Sequence, residues 1–126
     1  HSDIQTITDV DQPGVRIAIA ARSAYDLYLS RNLQHAELVR AEGIDGSFDL
    51  FVSERLDVLA GLRPRLLTDV TQIENARILE GRFTAVQQAV GTPSDRTAGA
   101  AYLLDFVAEA KASGLVAELI ARHQVD

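Results

Sequence analysis

The stretch Val15-Arg-Ile-Ala-Ile-Ala-Ala-Arg-Ser-Ala-Tyr-Asp26 carries the clearest structural signal in this chain. Its first half alternates as a strand with one buried face does. Ser23 then stands where a helix N-cap belongs, and Asp26 follows three residues later, as in a capping box. The stretch therefore predicts a strand, a tight turn and the first turn of a helix, in that order.

The turn between this strand and this helix is the first candidate binding site. A helix that begins at the carboxyl end of a strand points free backbone N–H groups outward, where they bind anions, and α/β proteins place ligands at such edges. Arg22 adds a fixed positive charge. Two interpretations stay open: a binding site formed by Arg22, Ser23 and Ala24, or a helix end that is only capped and solvated.

Composition narrows the class of protein. The 126 residues are enough for one domain with a core, and no apolar run approaches the ~20 residues that span a bilayer. The net charge of −6 argues against nucleic acid and anionic membranes as partners. The chain has no cysteine, so disulfides and thiol chemistry are excluded. It also has no methionine, from which we expect a processed product or a piece of a longer chain.

Strand and helix patterns alternate up to about residue 80, which predicts an α/β fold whose parallel sheet is flanked by helices. We expect four strands, at residues 15–21, 37–41, 56–61 and 76–79. Three helices are expected between these strands: one over residues 23–34, one from an N-cap at Ser47 onward, and one from Pro64 at position N1 to about Ile73. Residues 83–90 alternate again.

The C-terminal part has a different character. Thr92-Pro-Ser-Asp95 is typical of a helix start, and Gly114 ends the apolar pattern that follows it. A last helix is expected over residues 115–123. The sequence thus predicts a C-terminal helical pair after the α/β part.

Other polar residues are further candidates for functional roles. Arg63 follows the strand predicted at 56–61, so it faces the same sheet edge as Ser23; an ordinary surface arginine is the alternative. Asp57 is expected to bond near that strand. The histidines, which lack metal-ligand spacing, are assigned structural roles, and they are His1, His35 and His123. Nucleophile elbows and phosphate loops are absent, so we predict no catalytic residue, no metal and no cofactor.

The order of the motifs resembles a known family. The strand–turn–helix at Ser23, the segment Glu54-Arg-Leu-Asp-Val-Leu-Ala-Gly61, and Gly81-Arg-Phe-Thr-Ala-Val-Gln-Gln-Ala-Val90 before a helical pair carry the likeness. Together they resemble the amino-acid-binding family of extracytoplasmic solute-binding proteins of ABC transporters, which have the type II periplasmic binding fold. The resemblance runs from Ile7 to His123.

This resemblance implies a two-lobed protein with ligand in the cleft. Residues 1–80 would correspond to lobe 2, and residues 81–126 to the return crossing and closing helices of lobe 1. The implied location is periplasmic or extracytoplasmic, and the implied partners are a small-molecule ligand and a membrane permease. With most of lobe 1 absent, the helical pair would leave apolar surface uncovered, from which we expect a homodimer or an exchanged segment.

The resemblance also suggests how the ligand is held. The family has Gly-Ser or Gly-Thr where this chain has Arg22-Ser23, and it holds the ligand carboxylate there. It has an aspartate for the ligand amino group where this chain has Leu62. The expected ligand is therefore an amino acid or an organic acid. A dehydratase-type enzyme on the same fold and the ligand-sensing domain of a receptor remain alternatives.

Overall fold

A computed structural model describes residues 3–125. Within this range the chain forms two compact units, residues 3–86 and residues 87–125. In the first unit, called unit 1, short 3-10 helices cover Ile7–Val10 and Val70–Gln72. The remaining elements of unit 1 are β1 (Arg16–Ala20), α1 (Ala24–Asn32), β2 (Glu37–Ala41), α2 (Gly43–Ser53), β3 (Val58–Leu59) and α3 (Arg63–Asp69). The second unit, unit 2, contains α4 (Thr97–Ala112) and α5 (Leu115–His123).

The sheet of unit 1 has three parallel strands in the order β2-β1-β3. Ile17 is paired with Leu38 on one side and with Val58 on the other. The predicted α/β class with a parallel sheet is therefore confirmed. The predicted strands at 15–21, 37–41 and 56–61 all form, although the third is only two residues long.

The two faces of the sheet carry different side chains and different helices. Ile17 and Ile19 are fully buried against Tyr25 and Leu29 of α1. Ala18 and Ala20 point to the other face, because side chains alternate along a strand. Ala41, which is paired with Ala20, shares that face, and Gly46 of α2 packs against it. A Cβ added at Gly46 would lie only 3.6 Å from the Cβ of Ala41. Small side chains thus admit α2 opposite α1.

The predicted start of α2 is wrong. Ser47 is not an N-cap; it lies within the helix, is 2% exposed, and donates its hydroxyl to the Ile44 carbonyl at 2.8 Å. The helix begins at Gly43, five residues before the start that an N-cap at Ser47 predicts. Asp45-Gly46 looks like a turn from its sequence, but the glycine serves the close approach to the sheet.

The strand predicted at 76–79 does not form, and neither does regular structure over residues 83–90. The sheet ends at its outer strands, β2 and β3, whose outer edges pair with no further strand of the described residues. Ala76, Ile78 and Leu79 are half-buried, so these side chains are partly covered although their backbone joins no strand. Phe83 packs against Tyr28, with ring centroids 5.9 Å apart.

Unit 2 matches the predicted helical pair, with one shift. The helix start expected at Thr92–Asp95 lies at Thr97 instead, because the Arg96 N–H donates to the Pro93 carbonyl in a turn that precedes the helix. Gly114 separates α4 from α5 with φ of 82°, a left-handed conformation that favours glycine. α3, predicted from Pro64 to about Ile73, ends at Asp69 and continues as a 3-10 turn.

Candidate functional site

The candidate site lies at the edge of the sheet where the strands end. Because all three strands are parallel, their carboxyl ends meet at one edge, and α1, α2 and α3 each begin there. From β1 the chain moves to one neighbour, β2, and it then crosses to the other neighbour, β3. The switch point of such a sheet lies between β1 and β3, and open α/β sheets bind ligands in the crevice at this position.

The turn after β1 has an unusual backbone. Arg22 adopts φ of 62°, in the left-handed region that favours glycine. The Ala21 N–H donates to the Ala41 carbonyl at 2.9 Å, which ties the start of the turn to the end of β2. The Arg22 N–H donates to Asp26 Oδ2 at 2.8 Å. The turn is thus held from two sides in a conformation that costs an arginine free energy.

Ser23 caps α1 as predicted: its Oγ accepts a hydrogen bond from the Asp26 N–H at 3.0 Å. The reciprocal half of the predicted capping box is wrong. The Asp26 carboxylate accepts from the Arg22 N–H rather than from that of Ser23, which donates to the Ala20 carbonyl at 3.4 Å. A serine hydroxyl has one donor as well as its acceptor lone pairs, so Ser23 can cap α1 and still donate its hydrogen to a ligand.

The carboxylate of Asp26 is the buried charge of this site, with the residue 5% exposed. Its burial raises the pKa, but the Arg22 N–H, the Ser30 hydroxyl and the charge of Arg40 together outweigh burial and lower the pKa of Asp26 below its ordinary value. Asp26 therefore stays ionised as the turn's acceptor.

The predicted site residues divide between two loops at this edge. Arg22 and Ser23 form the loop after β1, and Ala24 is the first residue of α1. Arg63 is exposed and is the first residue of α3, directly after the loop that leaves β3. The topology thus brings all four to the carboxyl edge. Whether they bind a ligand stays a prediction.

The Arg22 side chain also has a partner that the sequence did not suggest. Its Nη2 lies 3.1 Å from Glu42 Oε1, just after β2, and both side chains are more than 80% exposed, at 83% and 88%. An ion pair this exposed contributes little to stability. Glu42 is twenty residues away in sequence, so only the pairing of β1 with β2 reveals it.

The remaining candidates have structural surroundings. The Asp57 carboxylate accepts from the Arg16 N–H at 2.9 Å, which confirms the expected bond beside the strand. His35 lies in the loop between α1 and β2, His123 ends α5, and His1 lies outside the described residues. Within residues 3–125, no group of three or more histidine and acidic side chains is placed to hold a metal ion.

Unit 2 has a groove of about 170 Å³, lined by Phe106, Glu109, Ala110, Ser113 and Leu115. No helix in the described part of the chain is both long and apolar enough to cross a membrane. Comparison of the chain with models of known protein families, with curated proteins and with solved structures finds no match.

Proposed function

We propose that unit 1 is a ligand-binding lobe of an extracytoplasmic solute-binding protein for ABC-type import, and that it holds the carboxylate of an amino acid or organic acid without catalysing a reaction. The strand order β2-β1-β3 carries this proposal. It brings the Arg22–Ser23 turn and Arg63 to the two strand ends that flank the switch point. The periplasmic location and the permease partner belong to the same proposal and rest on the resemblance described above.

The chemistry of the turn suits a carboxylate. Ser23 has a hydroxyl hydrogen to donate, and α1 begins beside it with the positive end of its dipole. Arg22 supplies charge at the same loop, and Arg63 supplies it at the neighbouring loop. Each charge-assisted hydrogen bond to a carboxylate contributes about 1.5–3 kcal/mol.

The backbone of Arg22 supports the comparison with the binding-protein family. The resemblance aligns Arg22 with a glycine, and the observed φ of 62° is the conformation that glycine adopts most easily. An arginine at this position costs about 1–2 kcal/mol of backbone strain. A guanidinium that contacts the ligand would offset that cost through binding.

The test is a titration of the isotope-labelled chain with succinate, followed through the backbone amide signals. Succinamide, which has the same length but no charge, is the control ligand, and L-aspartate represents the amino acids. We expect succinate and L-aspartate, but not succinamide, to shift the amides of Ser23, Ala24 and Tyr25.

Matched variants locate the effect. Ser23→Ala and Arg22→Ala should each weaken succinate binding by about tenfold to a hundredfold, the range expected from the loss of one charged hydrogen bond. Ser53→Ala and Arg55→Ala are the controls, since Ser53 ends α2 and Arg55 lies in the loop from α2 to β3, at the opposite edge of the sheet. Equal succinate affinity in all four variants would mean that the turn is only a capped helix end and not a binding site.

Incubation with malate tests the dehydratase alternative, because loss of water forms a conjugated, ultraviolet-absorbing product.

A further inference from the structure

Arg40 of β2 and α1 lie on the same face of the sheet. The strand register pairs Arg40 with Ile19, whose side chain points toward α1. From this position the Arg40 Nε lies 3.0 Å from Asp26 Oδ1 and 3.3 Å from Oδ2, and its Nη2 donates to Ser30 Oγ at 2.7 Å. Arg40 therefore hydrogen-bonds to two side chains of α1, Asp26 and Ser30, which are one helical turn apart.

The Asp26 carboxylate connects Arg40 to the turn after β1. Its Oδ1 faces Arg40 and accepts from the Ser30 hydroxyl at 3.1 Å, while its Oδ2 accepts from the Arg22 N–H at 2.8 Å. Asp26 is also 5% exposed, so water does not take over either role. Arg40 is thus joined to the Arg22 backbone through one buried carboxylate.

Resting on the proposed function, we propose that Arg40 is a positioning residue of the carboxylate site: through Asp26 it holds Arg22 in its left-handed conformation and thereby fixes the orientation of Ser23. A left-handed arginine relaxes toward negative φ unless hydrogen bonds oppose it. The Arg22 N–H has such a bond only while the Asp26 carboxylate is held in place. Loss of Arg40 should therefore loosen the turn more than it loosens the rest of unit 1.

Amide hydrogen exchange separates positioning from simple stabilisation. The Arg22 amide reports the turn, and the amide of Ile19, in the fully buried centre strand, reports unfolding of the whole unit. In Arg40→Ala, we expect exchange at Arg22 to accelerate about tenfold more than at Ile19, the factor for one ordinary hydrogen bond. Succinate affinity should fall by a similar factor.

Arg65→Ala is the matched control. Arg65 also pairs with a buried aspartate, with its Nε 2.7 Å from Oδ1 of Asp69, which is 3% exposed. This variant should lower the overall stability of unit 1 while the ratio of exchange at Arg22 to that at Ile19 and the succinate affinity stay unchanged. Arg40→Lys keeps the positive charge but cannot bond Asp26 and Ser30 through two separate nitrogens. Its succinate affinity should therefore lie between those of Arg40→Ala and the unaltered chain.

The outcomes are distinct. If Arg40→Ala accelerates exchange equally at Arg22 and Ile19, or if Arg65→Ala weakens succinate binding as strongly, Arg40 is only a stabilising residue and the inference is wrong. If Arg40→Ala does not fold, Arg40→Lys decides through the same exchange ratio. If succinate binds nowhere near Ser23 in the unaltered chain, the proposed function fails, and the exchange ratio still decides whether Arg40 holds the turn.

Discussion

The two units use apolar side chains in opposite ways. In unit 1 the central strand is buried on both faces, and Ile17 and Ile19 are completely inaccessible to solvent. In the described part of unit 2 no residue is buried, while Tyr102 and Leu104 are 70% and 72% exposed. The comparison teaches that helices can follow from local signals, whereas a core requires segments that are distant in sequence to supply opposing surfaces.

The largest expected difference between the units concerns truncation of apolar side chains. Ile17→Ala should lower the free energy of unfolding by about 2–5 kcal/mol, because it leaves a cavity in a fully packed strand. Leu104→Ala should change it by less than about 0.5 kcal/mol. Urea unfolding followed by circular dichroism measures both. Similar losses in the two variants would mean that Leu104 is buried in solution and that the contrast between the units is false.

The exposed surface of unit 2 should drive association. The rings of Tyr102 and Phe106 stack with centroids 6.4 Å apart on one side of α4, open to solvent. We expect sedimentation to detect a homodimer or an exchanged segment at high concentration, as exposed apolar patches favour. The double variant Leu104→Glu/Phe106→Glu should raise the dissociation constant about tenfold or more. A strict monomer at every concentration would refute this expectation.

The stability of unit 1 should fall at acid pH because of Asp11, whose carboxylate connects the N-terminal segment to the loop after α1. The Ala36, His35 and Gln34 N–H groups donate to this carboxylate and lower its pKa below the ordinary value. A lowered folded pKa means that stability is present above about pH 4 and is lost as the pH falls through the folded value.

Acid unfolding of matched variants measures this contribution. Asp11→Asn should unfold with a shallower dependence on pH below about pH 4, since the linked proton is removed. The same substitution at the exposed Asp49 of α2 is the control and should leave the acid profile unchanged. Identical profiles for both variants would show that the three N–H groups do not hold Asp11 in solution.

The smallest expected effect on stability concerns the left-handed backbone of Arg22, in the turn of the candidate site. Arg22→Gly should raise the free energy of unfolding by about 1 kcal/mol, because glycine accepts the left-handed conformation, whereas Arg22→Ala should not. Arg55→Gly is the control, with φ of 50° at the opposite edge. Both glycine variants should be stabilised, but only Arg22→Gly should weaken succinate binding. Thermal unfolding and the succinate titration check the two expectations separately.

The local features of this protein could be predicted from its sequence. The strand at 15–21, the N-cap at Ser23 and the break at Gly114 depend on side chains and backbone groups only a few residues apart. A bond to Asp57 beside its strand was also expected, but its donor, the Arg16 N–H 41 residues earlier, follows only from the pairing of β1 with β3. Composition and alternation were sufficient for the α/β class with a parallel sheet.

Only the tertiary structure decided which of these patterns are paired and what surrounds the candidate site. The stretch 76–79 has a strand-like pattern but pairs with neither edge strand, and α2 starts at Gly43, which places Gly46 against Ala41. The contacts of Glu42 with Arg22 and of Arg40 with Asp26 join residues 20 and 14 positions apart. Such contacts follow from strand order and register, which depend on burial summed over the whole unit rather than on any local stretch of sequence.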